Sequence, residues 1–210
     1  MPTEPATKRT VAFFDGQNLF HAAKEVFGYT FPNYDPPSLA ARLCTKQNWC
    51  LHQVRFYTGV PDAGHDLFWH TFWSAKLAYM GKQPGVVVYR RALRYGPQEI
   101  KLGDGASVVL QVAREKGIDV RIALDVIRLC LDNMYDVALI FSQDQDLSEV
   151  AEEVREISVE SNRWIKIASA FPVRPGGRNE RGINKTDWIP IDRALYDSCI
   201  DQRDYRSPKR

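Results

Sequence analysis

The chain has 210 residues, 44% of them hydrophobic and 26% charged, with 28 basic against 26 acidic side chains and a net charge of +2. That length suits one α/β domain with a real core, and the near-balanced charge excludes a dedicated DNA-coating protein, which is far more basic. No run approaches the roughly 18 unbroken apolar residues of a membrane span, and Met1 to Thr10 lacks the apolar stretch of a signal peptide.

Residues 1–10 read as a disordered lead-in, 11–200 as one domain and 201–210 as a tail. Val11 to Asp15 (VAFFD) is a continuous apolar run ending in an acid, as in a strand buried on both faces of a parallel sheet. Asn18 to Phe27 follows as a helix with Leu19, Ala22, Ala23 and Val26 on one stripe. Asp35-Pro36-Pro37-Ser38 opens a second helix that runs to about Lys46. Leu51 to Val60 is the second strand. Asp62 to Met80 is a long helix whose Phe68, Trp69, Phe72, Trp73 and Leu77 suit a core face, and which admits a homodimer. Val86 to Arg90 is the third strand.

The alternation of strand and helix then breaks. Glu99 to Leu102 alternates polar and apolar residues, Gly103-Asp104-Gly105 signals a turn, and Ser107 to Val112 returns, which predicts an inserted β-hairpin. Asp119 to Leu131 is a helix, with Val120, Ala123, Leu124, Ile127 and Leu131 expected inward. Val137 to Ser142 (VALIFS) is a buried strand, Ser148 to Ile157 a helix and Trp164 to Ser169 a further strand. Arg174 to Lys185, rich in Gly, Arg and Asn, is expected as a basic loop, with a closing helix from Ile191 to Ile200. The whole is an α/β class with a parallel sheet and right-handed crossovers. Cys44, Cys50, Cys130 and Cys199 form no CxxC pair, which suits reduced thiols in a cytoplasmic protein.

Sites in open parallel sheets form at the carboxyl ends of strands. Asp15 ends the first strand, Asp144 and Asp146 follow VALIFS, and Asp119 opens a helix after Lys116-Gly117. Acids brought close together raise one another's pKa or recruit a cation. An all-oxygen set suits Mg²⁺ or Mn²⁺, which can activate water and offset charge on a phosphodiester. Each residue also has a structural explanation. Asp146 with Glu149 fits a capping box, Asn18 a helix cap, and Asp119 complements a helix dipole. Asp125, six residues past Asp119, falls on another helix face and suits a structural role equally well. Arg90, Arg91, Arg94, Tyr95 and Lys101 gather around the hairpin, and Arg174, Arg178, Arg181 and Lys185 in the late loop; a solvated surface is their commoner fate, phosphate contact the functional one. His21, His52, His65 and His70 show no motif spacing and receive no catalytic role. No GxGxxG or GxxxxGK[ST] loop follows the first strand, which argues against a nucleotide-binding domain.

Three blocks together resemble a known family. Phe13-Phe14-Asp15-Gly16-Gln17-Asn18-Leu19, Lys116-Gly117-Ile118-Asp119 continuing to Asp125, and Ser142-Gln143-Asp144-Gln145-Asp146-Leu147 are similar to the motifs of NYN-domain proteins, the LabA-like branch of the PIN-like nucleases. The resemblance runs from Val11 to about Ile200. It implies a PIN-like parallel sheet flanked by helices and a metal-dependent endoribonuclease. In that reading Asp15, Asp119, Asp144 and Asp146 hold Mg²⁺ or Mn²⁺, and Asn18, Ser142 and Asp125 support them. Arg90, Arg91, Arg94, Lys101 and Arg178 would bind the RNA. Gln143 and Gln145 stand where the family usually has Gly and Ser, which leaves a non-catalytic RNA-binding regulatory domain as the alternative.

Overall fold

The structure is a computed structural model that describes residues 2–101, 103, 107–174, 176–177 and 181–206; the side chain of Lys101 is outside that description, as are Asp104 and Gly105 of the predicted turn and Arg178. The main sheet contains β1 (Arg9–Asp15), β2 (Cys50–Val60), β3 (Val86–Ala92), β6 (Val137–Phe141), β7 (Lys166–Pro172) and β8 (Asp187–Ile191). They lie in the order β3-β2-β1-β6-β7-β8, every neighbouring pair parallel. The chain winds outward from β1 in one direction and then from β6 in the other. The β1/β6 boundary is therefore the switch point, where a crevice opens above the carboxyl ends.

Alternation along β1 divides the core between two layers. Ala12 and Phe14 face α1 (Gly16–Phe27), α2 (Pro36–Lys46) and α3 (Leu67–Met80), packing with Leu19, Leu39, Leu43, Phe72 and Leu77. Val11 and Phe13 face α4 (Ile118–Leu131) and α5 (Ser148–Glu160), with Ile122, Val126, Val150 and Val154. Phe14 and Phe141 stack at 3.8 Å between ring centres, one strand apart. Each such buried ring contributes about 1.5–3 kcal/mol relative to exposure. Most of the aromatic face of α3 turns into this core; Leu67 and Phe68 stay exposed.

The predicted hairpin is present as β4 (Arg94–Lys101) and β5 (Ser107–Arg114), paired antiparallel and outside the main sheet. Its strands pack chiefly on each other. Its root is tied down where Leu93 N–H donates to the Val60 carbonyl at 3.0 Å.

Two expectations are corrected. In α4 the inward residues are Ile118, Ile122, Asp125, Val126, Leu129 and Cys130, whereas Val120, Leu124 and Leu131 are exposed. Both faces of this helix are apolar, so periodicity alone favours neither. The late segment is not one basic loop followed by a long helix: β8 intervenes, and the closing helix α6 is only Arg193–Asp197. Pro190 within β8 hides the strand in the sequence, yet β8 is an edge strand, where a missing N–H costs little. Residues 201–206 pack onto the α3 layer. The Lys76 ammonium is buried there, donating to the Tyr34 carbonyl at 2.8 Å and the Asp201 carboxylate at 3.4 Å, with the Tyr205 ring 5.2 Å away.

Among the described residues no helix is long and apolar enough to cross a membrane.

Candidate active site

Asp15 ends β1 and caps α1, because its Oδ1 accepts the Asn18 N–H at 3.0 Å. Its Oδ2 accepts the Ser142 hydroxyl at 3.4 Å, from the end of the neighbouring strand β6. Ser142 Oγ in turn accepts the Asp144 N–H at 3.1 Å, so one hydroxyl bridges the two acid-bearing strand ends. Asn18 is more than a cap: its Oδ1 accepts the Gln143 N–H at 2.9 Å across the same gap. The β1/β6 switch point thus brings Asp15 and Asp144 to one cavity of about 370 Å³, lined also by Gln17, Asn18, His21, Leu93, Ala113 and Glu115.

The Asp15 carboxylate is buried, at 5% exposure. Burial pushes its pKa up to about 6; the Asn18 N–H opposes this, while the charges of Asp144 and Asp119 add to it. Asp119, in the first turn of α4, is half-buried and close enough to act electrostatically on Asp15. Asp146 is exposed in the single 3-10 turn Gln145–Leu147. Its N–H donates to Asp144 Oδ1 at 3.1 Å, so Asp144, not Asp146, is the cap here. No capping box forms at the start of α5.

Asp125 lies elsewhere. It accepts from Arg55 Nη1 and the Tyr57 hydroxyl, both at 2.8 Å, and pairs with Arg121 at 2.8 Å. Tyr57 is the register partner of Asp15 on β2, so this buried cluster braces the strand beside the site.

The sequence reading missed two wall residues. Glu115 follows β5 and accepts the Gly59 N–H. Burial pushes its pKa up to about 7, and the charge of Asp15 adds to this. His21 enters from α1, one turn beyond Gln17 and Asn18; that helical spacing was the only available signal. Arg90, Arg91 and Arg94 are exposed near the end of β3 and the hairpin root. Arg91 Nη1 also donates to the Lys116 carbonyl at 3.0 Å, beside the Gly117 turn into α4.

Among the described residues, no three His, Cys, Asp or Glu side chains stand close enough to enclose an ion. The carboxylate oxygens of Asp15 and Asp144 instead suit a hard divalent cation held by one or two carboxylates, with its other positions left to water and phosphate. That is the usual manner of Mg²⁺.

The family model of the NYN domain matches residues 9–169, from the first residue of β1 to within β7. This chain is an NYN-domain protein. The matched span includes Asp15, Glu115, Asp119 and Asp144. A protein of unknown function from Vibrio parahaemolyticus RIMD 2210633, VPA0982, is similar in fold, with a TM-score of 0.52 and 18% identity over 91% of this chain and 97% of that one. Its likeness supports the α/β architecture of the NYN chain and nothing about activity. MurG of Acinetobacter baumannii, at a TM-score of 0.31 and 10% identity over 87% of this chain and 45% of that one, is too distant to bear on the NYN fold or function. No curated protein sequence matches.

Proposed function

We propose that this NYN domain is a metal-dependent endoribonuclease, with Asp15 and Asp144 as the residues that hold Mg²⁺ or Mn²⁺. The observation that carries the reading is the Ser142 hydroxyl, which donates to the Asp15 carboxylate and accepts the Asp144 main-chain N–H, so that two acid-bearing strand ends from opposite sides of the switch point line one cavity. A resident divalent ion supplies Lewis-acid activation of water and neutralises charge building on the phosphodiester. The Asn18 N–H and the Ser142 hydroxyl fix both oxygens of Asp15, so its carboxylate is aimed before RNA arrives. Asp119 adds negative charge that favours a cation over an empty site. Glu115, on the facing wall and oriented by the Gly59 N–H, is placed to accept the proton from the attacking water. Asp146, exposed in the turn that follows Asp144, would add negative charge to the surroundings of a bound ion. Exposed Arg90, Arg91 and Arg94 offer phosphate contacts beside the cavity.

We assign the chain to the LabA-like branch on the segment from Lys116 to Asp125. We place it in the cytoplasm on its free cysteines, three of them buried.

The test is RNA cleavage with Mg²⁺ or Mn²⁺ by wild type, Asp15→Asn and Asp144→Asn, each checked for native circular dichroism. Each variant should lose at least about a hundredfold in rate, and chelation should stop the wild type. Wild-type rates in both variants would remove these acids from the mechanism.

A further inference from the structure

The turn after β6 is tied to the chain between β7 and β8 by two glutamine side chains. Gln143 Nε2 donates to the Arg181 carbonyl at 2.8 Å. Gln145 Nε2 donates to the carbonyls of Gly182 and Gln143, both at 3.0 Å, and its Oε1 accepts the Asn184 N–H at 3.2 Å. Because Asn18 holds the Gln143 N–H, one continuous set of bonds runs from α1, through the turn that bears Asp144, to residues 181–184.

The same segment is anchored from below. Ile183 is fully buried, and its N–H donates to Ser169 Oγ at 3.1 Å. Gly182 lies so close to β7 and β8 that a Cβ there would overlap Ser169, Phe171 and Trp188. With its backbone fixed on both sides, this stretch presents the exposed side chain of Arg181. Nε and Nη2 of that guanidinium both donate to Asn184 Oδ1, at 3.2 and 2.8 Å, which sets its direction. Among the described residues no carboxylate pairs with it, whereas nearby Lys185 is paired with Glu152.

An acid cluster repels a polyanion unless fixed positive charge stands beside it. Arg181 supplies a guanidinium held in place by Asn184 and, among the described residues, without a carboxylate partner, and its carbonyl is bonded to the side chain of the residue preceding Asp144. Its planar fork matches phosphate geometry.

We propose that Arg181 grips a phosphate of the RNA strand alongside the acidic cavity, with Gln143, Gln145 and Asn184 as the positioning residues that hold it there. This rests on the nuclease reading and adds to it a substrate contact outside the acids. It also gives the two glutamines a role: they fasten the substrate-side lip of the site.

The experiment measures binding of a labelled single-stranded oligoribonucleotide to the full chain in EDTA, across a salt series, by fluorescence anisotropy. Arg181→Ala should weaken binding roughly threefold to tenfold near 0.1 M salt and reduce the slope of log K against log salt by about one. Arg181→Lys should keep the slope but recover only part of the affinity, since an ammonium cannot make the paired bonds to Asn184. Gln145→Ala keeps every charge, so it should weaken binding without changing the slope, and should speed tryptic cleavage after Arg181. Wild-type affinity and slope in Arg181→Ala would overturn the proposal. Wild-type affinity and tryptic rate in Gln145→Ala would remove the glutamine clamp from it. A wild type that cuts RNA while Arg181→Ala binds unchanged sinks only this contact. A wild type that neither binds nor cuts RNA sinks the nuclease reading, and this inference with it.

Discussion

The Glu115 carboxylate accepts the main-chain N–H of Gly59, fastening the outgoing end of the hairpin to the carboxyl end of β2. The approach is close enough that a Cβ at position 59 would overlap both Glu115 and Leu93. Gly59→Ala must therefore displace the wall of the cavity. It should cost about 1–3 kcal/mol, as overpacking does, read from urea denaturation, and should slow RNA cleavage as well. An unchanged unfolding midpoint would show that the wall gives way freely.

Two raised carboxyls set a pH dependence for the metal-free protein. Asp15 shifts from 3.8 to about 6 and Glu115 from 4.5 to about 7. Both bind protons more tightly folded than unfolded, so stability falls as pH rises wherever the native state holds the extra protons. Their contribution is fully present below about pH 4 and is lost as pH rises through about 6 to 7. In EDTA, the unfolding midpoint should drop over that window on account of these groups. The double variant Asp15→Asn, Glu115→Gln should flatten the drop and be more stable than wild type at pH 8. A profile with the same slope in the variant would show that these carboxyls titrate normally.

Asp125 stands between Arg55, Arg121 and the Tyr57 hydroxyl. Removing the shared acid leaves Arg55 Nη1 and the Tyr57 hydroxyl without that acceptor, Arg55 keeping only Gln53 through its Nε, while Arg121 retains access to water. Asp125→Ala should cost about 3 kcal/mol or more, and Asp125→Asn less, because the amide oxygen still accepts. If Asp125→Ala abolishes cleavage at full stability, the residue belongs to the chemistry instead of the scaffold.

Lys76 depends on the end of the chain. Deleting residues 201–210 removes Asp201 and the Tyr205 ring and leaves a buried ammonium bonded to the Tyr34 carbonyl. The shortened protein should lose about 3–5 kcal/mol. Lys76→Met in the shortened protein should restore part of that loss, whereas in the full chain it should restore nothing, since Asp201 then keeps only Arg203 and the Tyr205 hydroxyl as partners. Equal stability of the full and shortened chains would show that the segment contributes nothing to folding.

The strand-end acids were legible because a buried parallel strand writes itself as an apolar run, so VAFFD and VALIFS mark their own carboxyl ends at Asp15 and just before Asp144. The hairpin was legible from its turn. The orientation of α4 was not, because Ile122 and Val126 on one face and Val120 and Leu124 on the other carry equal apolar signal. Nor was β8, whose Pro190 is tolerable only at an edge that no local pattern reveals. Glu115 escaped because it reaches the site through a main-chain partner far away in sequence, the Gly59 N–H. Arg181 was legible as one of the basic residues of the late loop, but the Gln143 side-chain amide that holds its carbonyl near Asp144 was not.

Among the described residues the hairpin is gripped near its root, by the Leu93 N–H on Val60, by Glu115 on Gly59 and by Tyr95, which accepts the Asp62 N–H and stacks on His65, and its further rungs pair with each other. Rungs inserted or deleted beyond Tyr95 and Ala113 would therefore leave the carboxylates undisturbed. On the proposed nuclease reading, reach along a bound strand becomes an independent dial, which variation can turn without retuning the reaction itself.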